Sequence, residues 1–145
     1  MPDAGDAALA EHVCRYVSDP RLFKPNDSRT WPAHSTGAAL DLTLRDLKTK
    51  DILDMGTHFD DMSIISHSDH FERLLERGRI AKDDPRLRNR RLMHWAMREQ
   101  GFTNYSYECW HFDYGNQMYV MMRNYLGPGH VPAAWYGYVP APAGD

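Results

Sequence analysis

Cysteine is scarce. The chain has only Cys14 and Cys109, far apart in its 145 residues. Two thiols build no disulfide framework, and a reducing compartment is the simpler setting for them. Long apolar runs are also missing; none approaches the ~20 residues that cross a bilayer, so no membrane partner is expected. The start, MPDAGDAALAEHV, is acidic and has no apolar core segment, so a secretory signal is not expected there. Charge of one sign is not in excess: 17 Lys and Arg stand against 20 Asp and Glu, a net −3 with histidine neutral. That balance leaves no broad basic field for a nucleic acid. Internal repeats and a second compositional segment are absent too. The expectation is one cytoplasmic globular domain over residues 1–145, long enough to bury roughly 70% of its unfolded surface.

What is present is more particular. Asp6 to Ser18 reads as a helix, with Leu9, Val13, Tyr16 and Val17 on one stripe and Asp6 as its cap. Ala39 to Leu44 alternates, sending Leu40, Leu42 and Leu44 one way and Asp41 and Thr43 the other, which predicts a strand. A hairpin turn and a short strand at Ile52-Leu53 are expected next. Ser68 to Gly78 and Asp84 to Gln100 read as helices, the second with Leu92, Met93, Ala96 and Met97 on one face. The arginines at 86, 88, 90 and 91 read as a solvated helix face. TNYSYECWHFDY and NQMYVMMRNY are both expected as strands.

The count of eight histidines directs attention to two motifs. In PAHSTGAALDLTL, His34 precedes Asp41 by seven residues, with Gly37 between them. In YECWHF, Glu108 and His111 lie three apart inside an aromatic run, a setting where ionisable groups need partners. Spacing alone leaves Asp41 either a solvent-facing strand carboxylate or a metal ligand. If it is a ligand, His34, Asp41 and His111 make the three-residue set of a catalytic zinc, with a fourth position open to water. Glu108 would then be the base that takes the water's proton. An ideal strand points residues three apart to opposite faces, so the Glu108–His111 segment must bulge or turn.

HSTGAALDLTL, DMGTHFDDMS, NRRLMHWAMREQGFTNY and YECWHFDYGNQ stand in the order and spacing of one known group. The chain resembles the zinc D-alanyl-D-alanine dipeptidases, the VanX-like group, and AAWYGYV is similar to that family's closing strand. The resemblance implies one zinc per chain on His34, Asp41 and His111, with Glu108 as catalytic base. It also implies Asp60 as the residue that binds the substrate's free amine. It implies a metallopeptidase hydrolysing D-Ala-D-Ala or a similar short dipeptide of cell-wall peptidoglycan metabolism. The implied fold is α+β, helices packed against a mainly antiparallel sheet with a zinc cleft.

Three departures from the family pattern qualify this. Pro32 stands where the family has a substrate-holding serine, and Cys109 where it has a tryptophan. The family's GYRP-like segment, with its oxyanion-stabilising arginine, has no counterpart, so the chain reads as N-terminally shortened. Arg15, Arg21 and Arg29 are candidates to replace that arginine. The alternative reading is a zinc-binding pseudoenzyme, or a partner-dependent subunit of a split dipeptidase. An uncovered strand edge would suit a homodimer or an N-terminal partner chain.

Overall fold

Alternation in the ALDL segment is realised as strand β1, Ala39–Asp41, in a computed structural model that describes residues 5–14, 18–127 and 129–140. Helix α1 (Asp6–Val13) precedes it; α2 (His70–Glu76), α3 (Pro85–Glu99), β2 (Thr103–Asn104), β3 (His111–Asp113) and α4 (Gln117–Leu126) follow. The fold is therefore α+β. β3 lies between β1 and β2 in a three-stranded antiparallel sheet. The register sets Asp41 opposite His111, Leu40 opposite Phe112 and Ala39 opposite Asp113.

Residues directly opposite in such a pair share a face, and residues two apart on one strand share it too. One face of β3 thus carries His111 and Asp113. The other sends Phe112 into the core with Met55 and Met93, backed by Leu42, Leu44, Leu53, Met97 and Phe102. Beyond the strand, the Leu42 N–H donates to Trp110 O at 3.1 Å, which prolongs the pairing past Asp41.

The helix boundaries follow their signals. Asp84 accepts from Arg86 N at the start of α3, with Pro85 in the first turn, and Gly101 closes it at φ +87°. The inward face of α3 differs from the expected one. Leu87, Arg90 and Met93 are buried, whereas Leu92 is 57% exposed. Arg90, read as part of a solvated face, is only 4% exposed. Its guanidinium donates to Met55 O (2.8 Å), His67 O (2.8 Å) and Ile65 O (2.7 Å) and lies 4.6 Å from the centre of the Phe71 ring. An arginine can enter a core when its fork finds fixed acceptors, which a polarity pattern does not reveal.

Other expectations are corrected. NQMYVMMRNY is helix α4, because Asn116 caps it by accepting from Tyr119 N and the run is rich in strong helix formers. The Tyr105–Trp110 stretch is two successive turns, not strand: Glu108 N bonds Tyr105 O, and His111 N bonds Glu108 O. At Ile52 there is only an isolated bridge to Arg45, so the hairpin is present without a full second strand. The cap of α1 is Gly5, no residue of α1 is buried, and Tyr16 and Val17 lie outside the described residues. AAWYGYV is irregular; it is tied down where Trp135 N and Tyr136 N meet Gly115 O and Val139 N meets Ser35 O. Among the described residues, no helix is long and apolar enough to cross a membrane.

Candidate metal centre

His34 sits in the 3-10 turn Ala33–Thr36, which its own hydroxyls lock: Ser35 Oγ donates to Pro32 O (2.7 Å) and Thr36 Oγ1 to Ala33 O (2.6 Å). Pro32 therefore works as the turn's first acceptor. Gly37 follows at φ +69°, a conformation that disfavours a Cβ, and swings the chain into β1. Asp41 then stands across from His111 by strand register.

His34 Nε2 lies 3.1 Å from His111 Nδ1, His111 Nδ1 lies 3.0 Å from Asp41 Oδ1, and His34 Nε2 lies 3.3 Å from Asp41 Oδ2. A tetrahedral ion with bonds of ~2.0–2.1 Å needs donors about 3.3 Å apart; these contacts, made through both oxygens of Asp41, are of that order, and one donor atom from each residue lies within 4.8 Å of the others. The chemistry of the set fits as well. A carboxylate and two ring nitrogens point lone pairs at one region, which is repulsive without a cation or added protons. Among the described residues this His34–Asp41–His111 group is the cluster that could hold a metal ion.

Glu108 borders the triangle, its Oε2 3.7 Å from His111 Nδ1. The turn at Tyr105–Trp110 resolves the parity problem of a strand and brings both side chains to one place. Burial pushes the Glu108 carboxyl above its ordinary pKa. His111 and His34 oppose that shift, while Asp41 and Asp60 add to it. For His111, burial acts to lower the pKa, but the Asp113 hydrogen bond and the charges of Asp113, Asp41 and Glu108 outweigh it, and the net direction is up.

Asp60 is outside the triangle but near enough for its charge to act on Glu108. It adopts φ +58° in an irregular loop. Side chains seldom hold that conformation without surrounding support, and it is enriched at functional sites. The neighbouring Asp61 is committed to the loop itself. It accepts from Ser63 N (2.8 Å) and Thr57 Oγ1 (2.9 Å), and its pKa is lowered, by Ser63 first. Phe59 stacks on Trp110 at 5.5 Å and fastens the loop beside the Glu108 turn. Asp60 itself is exposed.

Cys109 is buried, and burial raises its thiol pKa. It borders two cavities, of about 230 Å³ and 420 Å³, neither of them lined by His34, Asp41 or His111. Arg21 is paired with Asp19 and Arg29 with Asp27, each within its own exposed turn. Arg15 lies outside the described residues. Among the described residues, the ion-pair partners of Asp41 and Glu108 are histidines, so Arg21 and Arg29 supply no cation to this centre.

Sequence reasoning missed Asp113, Asn116 and Arg90. Asp113 left a signal, being two residues from His111 on a strand and hence on its face. Asn116 left one too, as a capping residue at the head of an apolar run; Arg90 left none, since its acceptors are distant in the chain.

Residues 10–127 match the Peptidase M15 family of D-Ala-D-Ala dipeptidases. The chain is similar to the D-alanyl-D-alanine dipeptidase of Synechocystis sp., at 35% identity over 116 residues, which is 79% of this chain and 47% of that protein. It is also similar to the enzyme of that name from Escherichia coli, at 41% over 80 residues (55% of this chain, 36% of that protein). A third relative so named, from Enterococcus faecalis, is 34% identical over 82 residues. The chain spans less than half the length of these curated relatives.

Proposed function

The chain belongs to the Peptidase M15 D-Ala-D-Ala dipeptidase family, and from that premise we propose that it is a zinc-dependent peptidase cleaving D-Ala-D-Ala or a closely similar dipeptide. The observation that carries the reading is the convergence of His34 Nε2, Asp41 and His111 Nδ1 beside the Glu108 carboxylate. In this reading residues 1–145 form one dipeptidase-like domain with one zinc per chain.

A zinc ion on those three residues would polarise the scissile carbonyl and make water a nucleophile near neutral pH. Glu108 takes the proton of the attacking water and delivers it to the leaving amine. Burial favours the protonated form of Glu108 and so helps it hold the proton between the two steps. Asp60 pairs with the substrate's ammonium. An amine-reading carboxylate near the metal centre favours a free dipeptide over a longer chain.

The test is a panel of peptides with the zinc-loaded chain. D-Ala-D-Ala should be cleaved, and N-acetyl-D-Ala-D-Ala and L-Ala-L-Ala poorly. Glu108→Gln should keep its zinc and lose roughly 10²–10⁴-fold in kcat. The base must be ionised to act. Activity should therefore fall once the pH is low enough to protonate Glu108. Efficient cleavage of the acetylated peptide, or unchanged turnover in Glu108→Gln, would refute the mechanism.

A further inference from the structure

His111 turns its two ring nitrogens toward different partners. Nδ1 faces His34 and Asp41, while Nε2 lies 3.2 Å from Asp113 Oδ1. Asp113 is 0% exposed, and its other oxygen, Oδ2, has no hydrogen-bond partner. Among the described residues, the ion-pair partner of this fully buried carboxylate is His111 alone. A buried carboxylate is tolerated when a donor meets it, and the ring N–H of His111 is that donor.

We propose that Asp113 is a positioning residue that fixes which nitrogen of His111 meets the metal, and that Asn116 holds Asp113 in place for this. The inference rests on the zinc reading given above. An acceptor at Nε2 keeps the hydrogen there and leaves the Nδ1 lone pair for the ion. A carboxylate in that position also makes the imidazole a stronger ligand.

Asn116 is itself 0% exposed. Its Nδ2 donates to Asp113 Oδ1 (2.6 Å) and to Ala38 O (3.3 Å), and its Oδ1 accepts from Tyr119 N (2.9 Å) at the start of α4. One amide thus joins the residue ahead of β1, the end of β3 and the first turn of α4. The orientation of the His111 ring is set by the same contacts that close the sheet against that helix. Asp113 does not cap α4, so a helix-capping role does not account for it; Asn116 performs that task.

The test uses the zinc-loaded full chain and two readouts that do not depend on turnover: zinc affinity by chelator competition, and the tautomer of His111 by nitrogen-15 NMR. In the parent, His111 should ligate through Nδ1 with the hydrogen on Nε2. Asp113→Asn keeps the side chain's shape and removes its charge. It should remain folded and bind zinc roughly 10- to 100-fold more weakly. Asn116→Ser keeps a capping oxygen for α4 but loses the donor to Asp113, and should show a smaller loss of the same kind. A folded Asp113→Asn protein with zinc affinity within about twofold of the parent would overturn the proposal. So would ligation through Nε2 in the parent, a result that needs no variant and decides the matter should Asp113→Asn fail to fold. A parent chain that binds no zinc would instead overturn the functional reading beneath it.

Discussion

Asp41 and Asp60 are both carboxylates at the candidate centre, and they are held in opposite ways. Asp41 is placed by a ladder. Its backbone pairs with His111, so one register fixes two metal-ligand candidates at once. Asp60 is placed by a loop running from Met55 to His67, with a left-handed backbone at its own position and little regular structure around it. That loop is secured from outside by the Arg90 fork on three carbonyls, and from within by Asp61, Thr57 and Ser63. Gly56, at φ +76°, lets the loop begin against the Phe71 ring, where a Cβ would overlap the ring atoms. A ladder carries its own precision, whereas a loop borrows it from a clamp. Damage on the two sides should consequently show up in different measurements.

The largest effect is expected at the metal-ligand candidates, one on the ladder and one on the turn before it. His111→Ala and His34→Ala should each abolish stoichiometric zinc binding, and activity with it, as metal analysis after dialysis would show. Full zinc retention in both would remove the centre from this donor set. The next effect separates the two neighbouring aspartates of the loop. Asp60→Asn removes one charge-assisted contact with the substrate amine and should raise KM by roughly 10- to 100-fold, with zinc content unchanged. Asp61→Asn should instead lower thermal stability, because its carboxylate serves Ser63 and Thr57. Equal KM effects in the two would erase the distinction. The smallest effect on catalysis is expected from Arg90→Lys. An ammonium keeps the charge but cannot span three carbonyls, so the loop loosens. The melting temperature should fall, and KM should rise about 2- to 12-fold for a lost hydrogen bond. Zinc affinity should stay that of the parent. A drop in zinc affinity matching the rise in KM would mean that ladder and loop are one unit.

Much of this was legible in the chain itself, for identifiable reasons. The alternation in ALDL announces β1, and Asp84-Pro85 and Gly101 bracket α3 because capping and turn chemistry are local. The same locality misleads at Tyr119 and Val120, whose β preference is overridden by the Asn116 cap and the helix formers around them. Extended aromatic sequence around Glu108 likewise suggests strand, whereas backbone bonds to Tyr105 O and from His111 N turn the chain twice. Those turns are what allow a Glu three residues before a His to share its site.

By itself the sequence determined which residues could do chemistry: His34, Asp41, Asp60, Glu108 and His111, their order, and the family to which that order belongs. His34, Asp41, Glu108 and His111 follow from side-chain identity and short spacing, both of which are written along the chain, and Asp60 follows only from the resemblance to the family. Tertiary structure alone decided how they meet. It set Asp41 against His111 across 70 residues, buried Asp113 behind the imidazole, and drew Arg90 from a basic helix into the core to hold a distant loop. A strand's register, a buried charge and a borrowed clamp each depend on partners far away in sequence, and the energy that selects them exists only once the chain has folded around them.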